Sequence, residues 1–310
     1  MPRFIYRSVC RNNDYRHPVI NLNLNFSAKK QFIRFFTIYI DAIIYKLTMR
    51  YFFHHFTSDA FANTEFGIFT GEHFIWMIIA AVALALSLFI FRNIDDGALF
   101  RFIRITAIVL LVSEVVKIVI ILYWGNFDIG QDLPLWLSSM FVYLLPFVGF
   151  AKGRLRQHAI NSIVSIYFVG GVLTMIMPLI LYYYPLLNFF SFHSLIYHWL
   201  MIFIALLLLI RGHVNINLKQ FHFIIVPFLI MAVIALPVNA IFDGDYMFLT
   251  NGNNSAFHMF YTMMPWAFYA LTVLALHIAY IFLTAVAFKF ADTRIRKYKS
   301  HKSTKISSGQ

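Results

Sequence analysis

Seven long apolar runs, separated by short polar segments, dominate the chain from residue 74 onward. They cover residues 74–91, 105–124, 133–151, 159–182, 194–210, 221–242 and 265–288. Each run is close to the roughly 17–25 residues that an α-helix needs to cross the hydrocarbon core of a bilayer. A helix satisfies its own backbone hydrogen bonds in lipid, whereas an open strand does not. The pattern therefore predicts an all-α bundle of seven membrane-spanning helices within residues 66–290.

The composition excludes a large soluble domain. Hydrophobic residues make up 61% of the 310 residues and charged residues 12%, whereas soluble proteins have about 45–50% and about 25%. The net charge of +12 lies in loops and tails between the apolar runs, so we predict membrane lipid as a partner and no nucleic acid. The single cysteine, Cys10, is far from every run, which excludes cysteine chemistry inside the membrane. The sequence predicts no cofactor.

The positive charges alternate between the loops. Fifteen Lys and Arg residues lie in 92–104, 152–158, 211–220 and the segment after 288, whereas 125–132, 183–193 and 243–264 hold none. Positive residues are retained on the cytoplasmic side of a membrane. The pattern predicts an N-terminus outside and a cytoplasmic C-terminus, with a basic tail at 291–310 that lacks regular structure. We expect a multi-pass protein of the plasma membrane.

Residues 1–65 form an extension that does not fit this topology. Residues 1–50 hold nine Lys and Arg, yet the predicted topology places them outside. The apolar piece at 35–45 is too short to span a membrane, so it indicates either an interfacial helix or an eighth span. Alternatively, translation starts at Met49, which would remove most of the conflict.

Polar side chains inside the apolar runs mark candidate functional positions, because such residues are costly in lipid. The candidates are His73, Glu114, Lys117, Ser138, Ser139, His198 and Asn239. At about 1.5 Å of rise per residue, the predicted topology concentrates them in the outer half of the bundle, on five helices, with Glu114 nearer the middle. Their common depth predicts one cavity that opens toward the outer leaflet. His277 lies nearer the middle of the last helix.

Several candidates also have a purely structural interpretation. Glu114 and Lys117 are three residues apart and could neutralise each other on one helix face. Ser138 and Ser139 could allow close helix packing, and Asn239 could cap a kink in the sixth helix.

Ser138 and His198 form the minimal pair for nucleophilic catalysis, a hydroxyl and an imidazole at matched depth. The imidazole would remove the serine proton as the serine attacks an acyl carbon, which near lipid headgroups belongs to an ester. Lys117 or Asn239 could then donate a hydrogen bond to the developing oxyanion. His193 lies five residues before His198 and on a different helix face, so we predict no metal site.

Five segments carry a resemblance to a known family. LPLWLSSMFVYLLP, residues 133–146, is similar to the Leu-Pro-Leu-His-Leu-Cys segment of the YwaF family of multipass bacterial membrane proteins. The other segments resemble that family in order and spacing; they are GGVLTMIMP (170–178), FHSLIYHWLMI (192–202), LPVNAIFDGDYMFLT (236–250) and PWAFYALTVLALHIAYIF (265–282). The resemblance covers residues 60–290.

The resemblance implies a function and two site residues. Animal relatives of the YwaF family are phospholipid acyltransferases that use a cysteine nucleophile and a histidine on another helix, and these positions fall on Ser138 and His198. The chain departs from the family twice, because serine replaces the cysteine and Trp136 replaces the preceding histidine. The resemblance therefore implies acyl transfer on membrane phospholipid. The alternatives are a transporter for a small solute or ion, in which Glu114, Lys117 and His277 would line the pathway, and a non-catalytic membrane protein that has lost the family cysteine.

Overall fold

The computed structural model describes residues 52–53, 70–178, 180, 184, 188–252 and 255–307. Seven helices of more than two turns follow one another in this part of the chain. They are α1 (Gly71–Phe91), α2 (Asp96–Tyr123), α3 (Met140–Phe150), α4 (Gly153–Ile176), α5 (Phe189–Arg211), α6 (Phe221–Phe242) and α7 (Trp266–Ser307). Single helical turns lie at Leu218–Gln220, Tyr246–Phe248 and His258–Tyr261. The described residues contain no strand, so the predicted all-α class is confirmed there. The apolar piece at 35–45 lies outside them.

Six of these helices are long and apolar enough to cross a membrane, which makes the chain a multi-pass membrane protein. The third predicted span, residues 133–151, is the exception, because its helix α3 has only 11 residues. Pro134 disfavours helical backbone at Leu133, and residues 133–139 are not helical. Seven helical spans were predicted, and six are found in the described part of the chain.

The basic residues of the loops lie at one end of the bundle. Asp96, at the start of α2, has its Oδ1 3.1 Å from Nη2 of Arg211, at the end of α5. Arg296 of α7 donates to the carbonyl oxygens of Gly212 and Val214, which follow α5, at 3.2 and 2.9 Å. We call this the basic end, and the end that holds residues 124–139 and 243–252 the opposite end.

The C-terminal tail differs from the prediction. Helix α7 continues through the basic residues after 288 and ends at Ser307, so that it spans 42 residues. Lys and Arg are good helix formers, and an ion pair between Arg296 Nε and Asp292 Oδ2, 2.8 Å apart, joins successive turns. The expectation of an irregular tail from residue 291 is therefore wrong as far as Ser307.

Helices α4 and α5 occupy the centre of the bundle. Both bury apolar and polar side chains along most of their length, whereas α1 leaves Ile78, Val82 and Leu86 more than half exposed. The two central helices approach closely at Gly171, where an added methyl group would lie 2.9 Å from the carbonyl oxygen of His198. The absence of a side chain at Gly171 therefore allows α5 to approach α4 closely at His198.

Candidate functional site

A cavity of about 480 Å³ brings Ser138 and His198 together inside the bundle. Its wall also contains His277, Thr174 and Tyr280 among mostly apolar side chains. Ser138 belongs to the irregular segment before α3, His198 to α5 and His277 to α7. Ser138 is half-buried, whereas His198 and His277 are 9% and 3% exposed. The cavity wall therefore combines the Ser138 hydroxyl, one of several hydroxyl groups there, with two imidazoles from two different helices.

The hydrogen bond of His198 determines which of its nitrogens can act as a base. Nδ1 lies 2.7 Å from the carbonyl oxygen of Ser194, one turn earlier on α5. A carbonyl oxygen can only accept a hydrogen bond, so Nδ1 carries the proton and Nε2 is left as the acceptor nitrogen of the neutral ring. This is the tautomer that a general base at Nε2 requires.

Tyr197 holds the backbone of the Ser138 segment. Its hydroxyl oxygen lies 3.1 and 3.2 Å from the carbonyl oxygens of Ser138 and Ser139, and it accepts a hydrogen bond from the backbone N–H of Val142 at 3.0 Å. The same backbone groups also form local hydrogen bonds at the start of α3, so the Tyr197 hydroxyl adds a partner from α5 to them. Because Tyr197 precedes His198, the same turn of α5 positions both members of the predicted pair.

Tyr246 holds the same segment from the opposite end of the bundle. Its hydroxyl accepts from the N–H of Leu133 at 2.8 Å and donates to the carbonyl of Ile129 at 2.7 Å. Burial raises the pKa of the Tyr246 hydroxyl, which keeps its proton in place as a donor. The Tyr246 ring also packs edge-on against Trp136, with ring centroids 5.3 Å apart.

Asn239 fixes Tyr246 rather than facing the cavity. Its Oδ1 accepts from the N–H of Tyr246 at 2.8 Å, and its Nδ2 donates to the carbonyl of Tyr246 at 3.0 Å. Both polar atoms of the amide are thus used within the turn after α6. The turn-forming role of Asp245 is similar, because its Oδ1 accepts from the N–H groups of Thr250 and Asn251 at 2.9 and 3.2 Å.

Glu114 and Lys117 form an ion pair outside the wall of this cavity. Oε2 of Glu114 also lies 3.3 Å from Nε2 of His193 on α5. Glu114 is buried and Lys117 is half-buried. Neither of them lines the cavity of Ser138 and His198, so the structure does not bring them together with the predicted pair.

His73 and Ser139 also lie away from the cavity wall. His73 is fully buried near the start of α1, where its backbone N–H lies 3.4 Å from the hydroxyl of Thr70. Ser139 occupies the N-cap position of α3 without a capping hydrogen bond from its side chain. Of the residues predicted from depth, only Ser138 and His198 line this cavity.

The sequence model of the TMEM164 family matches residues 68–285 of this chain, which include every residue of the cavity wall. The chain belongs to the TMEM164 family. Neither the search of curated proteins nor the search of solved structures gives a match. The YwaF assignment therefore remains a resemblance carried by the five quoted segments, whereas membership of the TMEM164 family is shown.

The sequence analysis did not predict two residues of this TMEM164-family site, and it gave a third residue a different role. Tyr197 and Tyr246 act through hydroxyl groups that bind backbone atoms more than fifty residues away in the chain. No local sequence pattern indicates such contacts. The sequence places His277 only on a transport pathway, because its depth differs from that of Ser138. Burial could have indicated the role of Tyr197, since the hydroxyl of a buried tyrosine usually has a hydrogen-bond partner.

Proposed function

We propose that this protein transfers acyl chains of membrane phospholipids, with Ser138 as the nucleophile and His198 as its general base. One observation carries the proposal: Ser138 and His198, which are sixty residues apart in the chain, line one cavity within a lipid-embedded bundle. The resemblance of the Ser138 segment to one that carries a cysteine nucleophile in related acyltransferases supports the same pair. Membership of the TMEM164 family agrees with a membrane-embedded site.

The first chemical step would be acylation of Ser138. The Ser138 Oγ–H bond breaks, its proton moves to Nε2 of His198, and Oγ forms a bond to the ester carbonyl carbon. The ester bond to the glycerol oxygen then breaks, and that oxygen takes the proton from His198 as the lysophospholipid leaves. Oγ carries the acyl chain after this step, and His198 is neutral again.

The cavity wall suits a lipid acyl chain. Leu173, Met201 and Leu276 contribute apolar surface around the polar pair, and a cavity of about 480 Å³ falls within the roughly 300–1,000 Å³ that is common for small-molecule sites. The apolar wall would also keep water from the acyl-serine ester.

Neither Lys117 nor Asn239 is needed for this proposal. Lys117 pairs with Glu114 outside the cavity wall, and both polar side-chain atoms of Asn239 bind Tyr246. The predicted role of these two residues as oxyanion donors has no geometric support here, so the proposal rests on Ser138 and His198 alone.

The test is covalent capture of the acyl chain. The purified full-length protein is incubated in vesicles of phospholipid with an isotopically labelled acyl chain, and its intact mass is followed with time. We expect a labelled adduct on Ser138 that disappears in Ser138→Ala and in His198→Ala but persists in Ser139→Ala, the neighbouring serine outside the cavity wall. An adduct that Ser139→Ala removes and Ser138→Ala spares would contradict the assignment. Absence of any adduct and of any lipid remodelling would leave a non-catalytic protein, and solute flux in the same vesicles would indicate a transporter.

A further inference from the structure

A second buried imidazole, His277, faces the cavity of Ser138 and His198. It lies on α7, whereas His198 lies on α5. Its Nδ1 is 2.7 Å from the carbonyl oxygen of Val273, one helical turn earlier. As for His198, the carbonyl can only accept, so Nδ1 carries the proton and Nε2 is the acceptor nitrogen.

The ring of His277 is held on both sides by aromatic rings. Phe228 and Phe257 stack against it at centroid distances of 5.7 and 5.3 Å, with interplanar angles of 22° and 25°. Together with the hydrogen bond to Val273, this packing restricts the orientation of the His277 ring.

Acyl transfer needs a base twice, and the cavity wall contains two imidazoles, each with its Nδ1 bound to a backbone carbonyl. The first half-reaction activates the hydroxyl of Ser138, and the second activates the hydroxyl of the molecule that receives the acyl chain. His198 sits on the helix that anchors the Ser138 segment through Tyr197. His277 lines the same cavity from a different helix, α7.

We propose that His277 is the catalytic base for the acyl acceptor, an alcohol such as the free hydroxyl of a lysophospholipid. This inference rests on the proposed acyl-transfer function. The acceptor O–H bond breaks, its proton moves to Nε2 of His277, and the acceptor oxygen bonds to the acyl carbon on Ser138. The bond between that carbon and Ser138 Oγ then breaks, and Oγ takes the proton from His277. The products are the new ester and the free serine.

The two half-reactions separate the roles of the two histidines. The key variant is His277→Asn, because the asparagine amide can still donate to the carbonyl of Val273 from near the position of Nδ1, while the acceptor at Nε2 is lost. The wild type, His277→Asn and His277→Gln are each given phospholipid with a labelled acyl chain, and a lysophospholipid with a different headgroup is added afterwards. His222→Asn is the matched control, since His222 is an exposed histidine on α6 outside the cavity wall.

We expect both His277 variants to acquire the labelled acyl group on Ser138 as the wild type does and then to retain it. Transfer to the lysophospholipid should fall by about 100-fold or more, the usual contribution of a general base, while His222→Asn transfers normally. A variant that becomes acylated is folded, so this accumulation cannot come from unfolding.

Transfer at the wild-type rate in either His277 variant would overturn the proposal, and so would loss of the acylation step in both. If the wild type itself never forms an adduct, the proposed function fails and this inference fails with it. If the adduct decays only to free fatty acid at a rate that depends on His277, water is the acceptor and the lysophospholipid is not.

Discussion

The hydroxyl oxygen of Tyr197 lies 3.1 Å from the carbonyl oxygen of Ser138. The next residue, His198, reaches the same cavity as the Ser138 side chain. Two consecutive residues of α5 thus serve different purposes: one holds the backbone of the candidate nucleophile, and the other supplies the candidate base. The backbone of Ser138 and the ring of His198 are therefore both positioned by one turn of α5.

Tyr197→Phe tests this anchoring role. The substitution leaves the carbonyl oxygens of Ser138 and Ser139 and the N–H of Val142 without this partner. We expect a loss of about 1–3 kcal/mol in stability and slower acylation of Ser138, because its segment is less firmly held. Thermal unfolding in detergent micelles and the rate of adduct formation measure the two effects.

Tyr143→Phe is the matched control for that experiment. Tyr143 is a tyrosine of α3 that is 40% exposed and does not line the cavity of Ser138. It should change neither measurement appreciably. Equal effects of the two substitutions would show that the Tyr197 hydroxyl has no special role.

Gly171→Ala should destabilise the contact between α4 and α5. The added methyl group would lie 2.9 Å from both the carbonyl oxygen of His198 and Cγ1 of Ile202, and overpacking of this kind costs about 1–3 kcal/mol. Gly170→Ala is the adjacent comparison, because a methyl group there meets no atom within 4 Å. Alanine is the better helix former, so Gly170→Ala should leave the unfolding temperature unchanged or raise it. The idea of a close helix contact fails if Gly171→Ala is as stable as Gly170→Ala.

Ser138→Cys restores the residue that the resembling family has at this position. A thiol loses its proton far more readily than a serine hydroxyl and is the stronger nucleophile. We expect faster formation of the acyl adduct, measured by intact mass in a Cys10→Ser background so that the introduced thiol is the only one in the chain. An inert Ser138→Cys protein would show that the cavity no longer supports the chemistry, whichever nucleophile it holds.

Glu114→Gln should be costly, because it removes one charge from a pair that includes a buried carboxylate. Breaking a buried ion pair by changing one partner costs about 3–5 kcal/mol, whereas replacing both partners is often neutral. The double variant Glu114→Gln with Lys117→Met should therefore recover much of the unfolding temperature that Glu114→Gln loses. Since neither residue lines the cavity, acylation per folded molecule should not change. A specific loss of acylation in the stable double variant would place the pair in the mechanism.

Much of the architecture could be predicted from apolar runs and loop charges. Six runs became long helices, and contacts of Asp96 and Arg296 gather the basic loops at one end. The run at 133–151 failed as a single helix because Pro134 disfavours helical backbone at Leu133, and the hydroxyl groups of Tyr197 and Tyr246 bind backbone groups of this irregular segment. Such long-range partners have no signature in hydropathy.

The candidate site was predictable in part, since depth along a helix follows from topology and about 1.5 Å of rise per residue. That reasoning selected Ser138 and His198, which share a cavity. It also selected Asn239, Glu114 and Lys117, which do not, because depth carries no information about which way a helix face turns. His277 was placed at a different depth from Ser138, yet it lines the same cavity, because the cavity extends deep enough to include it.

The shortness of α3 has a consequence for the lipid around it. Its 11 residues cover about 16 Å at the usual rise of an α-helix, roughly half the thickness of the hydrocarbon core. Tyr143, Phe147 and Phe150 are nevertheless exposed on its surface. The helical part of the apolar surface is shorter at α3 than at the six long helices, and a bilayer responds to a short hydrophobic span by thinning. We expect the membrane to be locally thinner beside α3. This thinning would bring the ester linkages of nearby phospholipids toward the depth at which α3 begins.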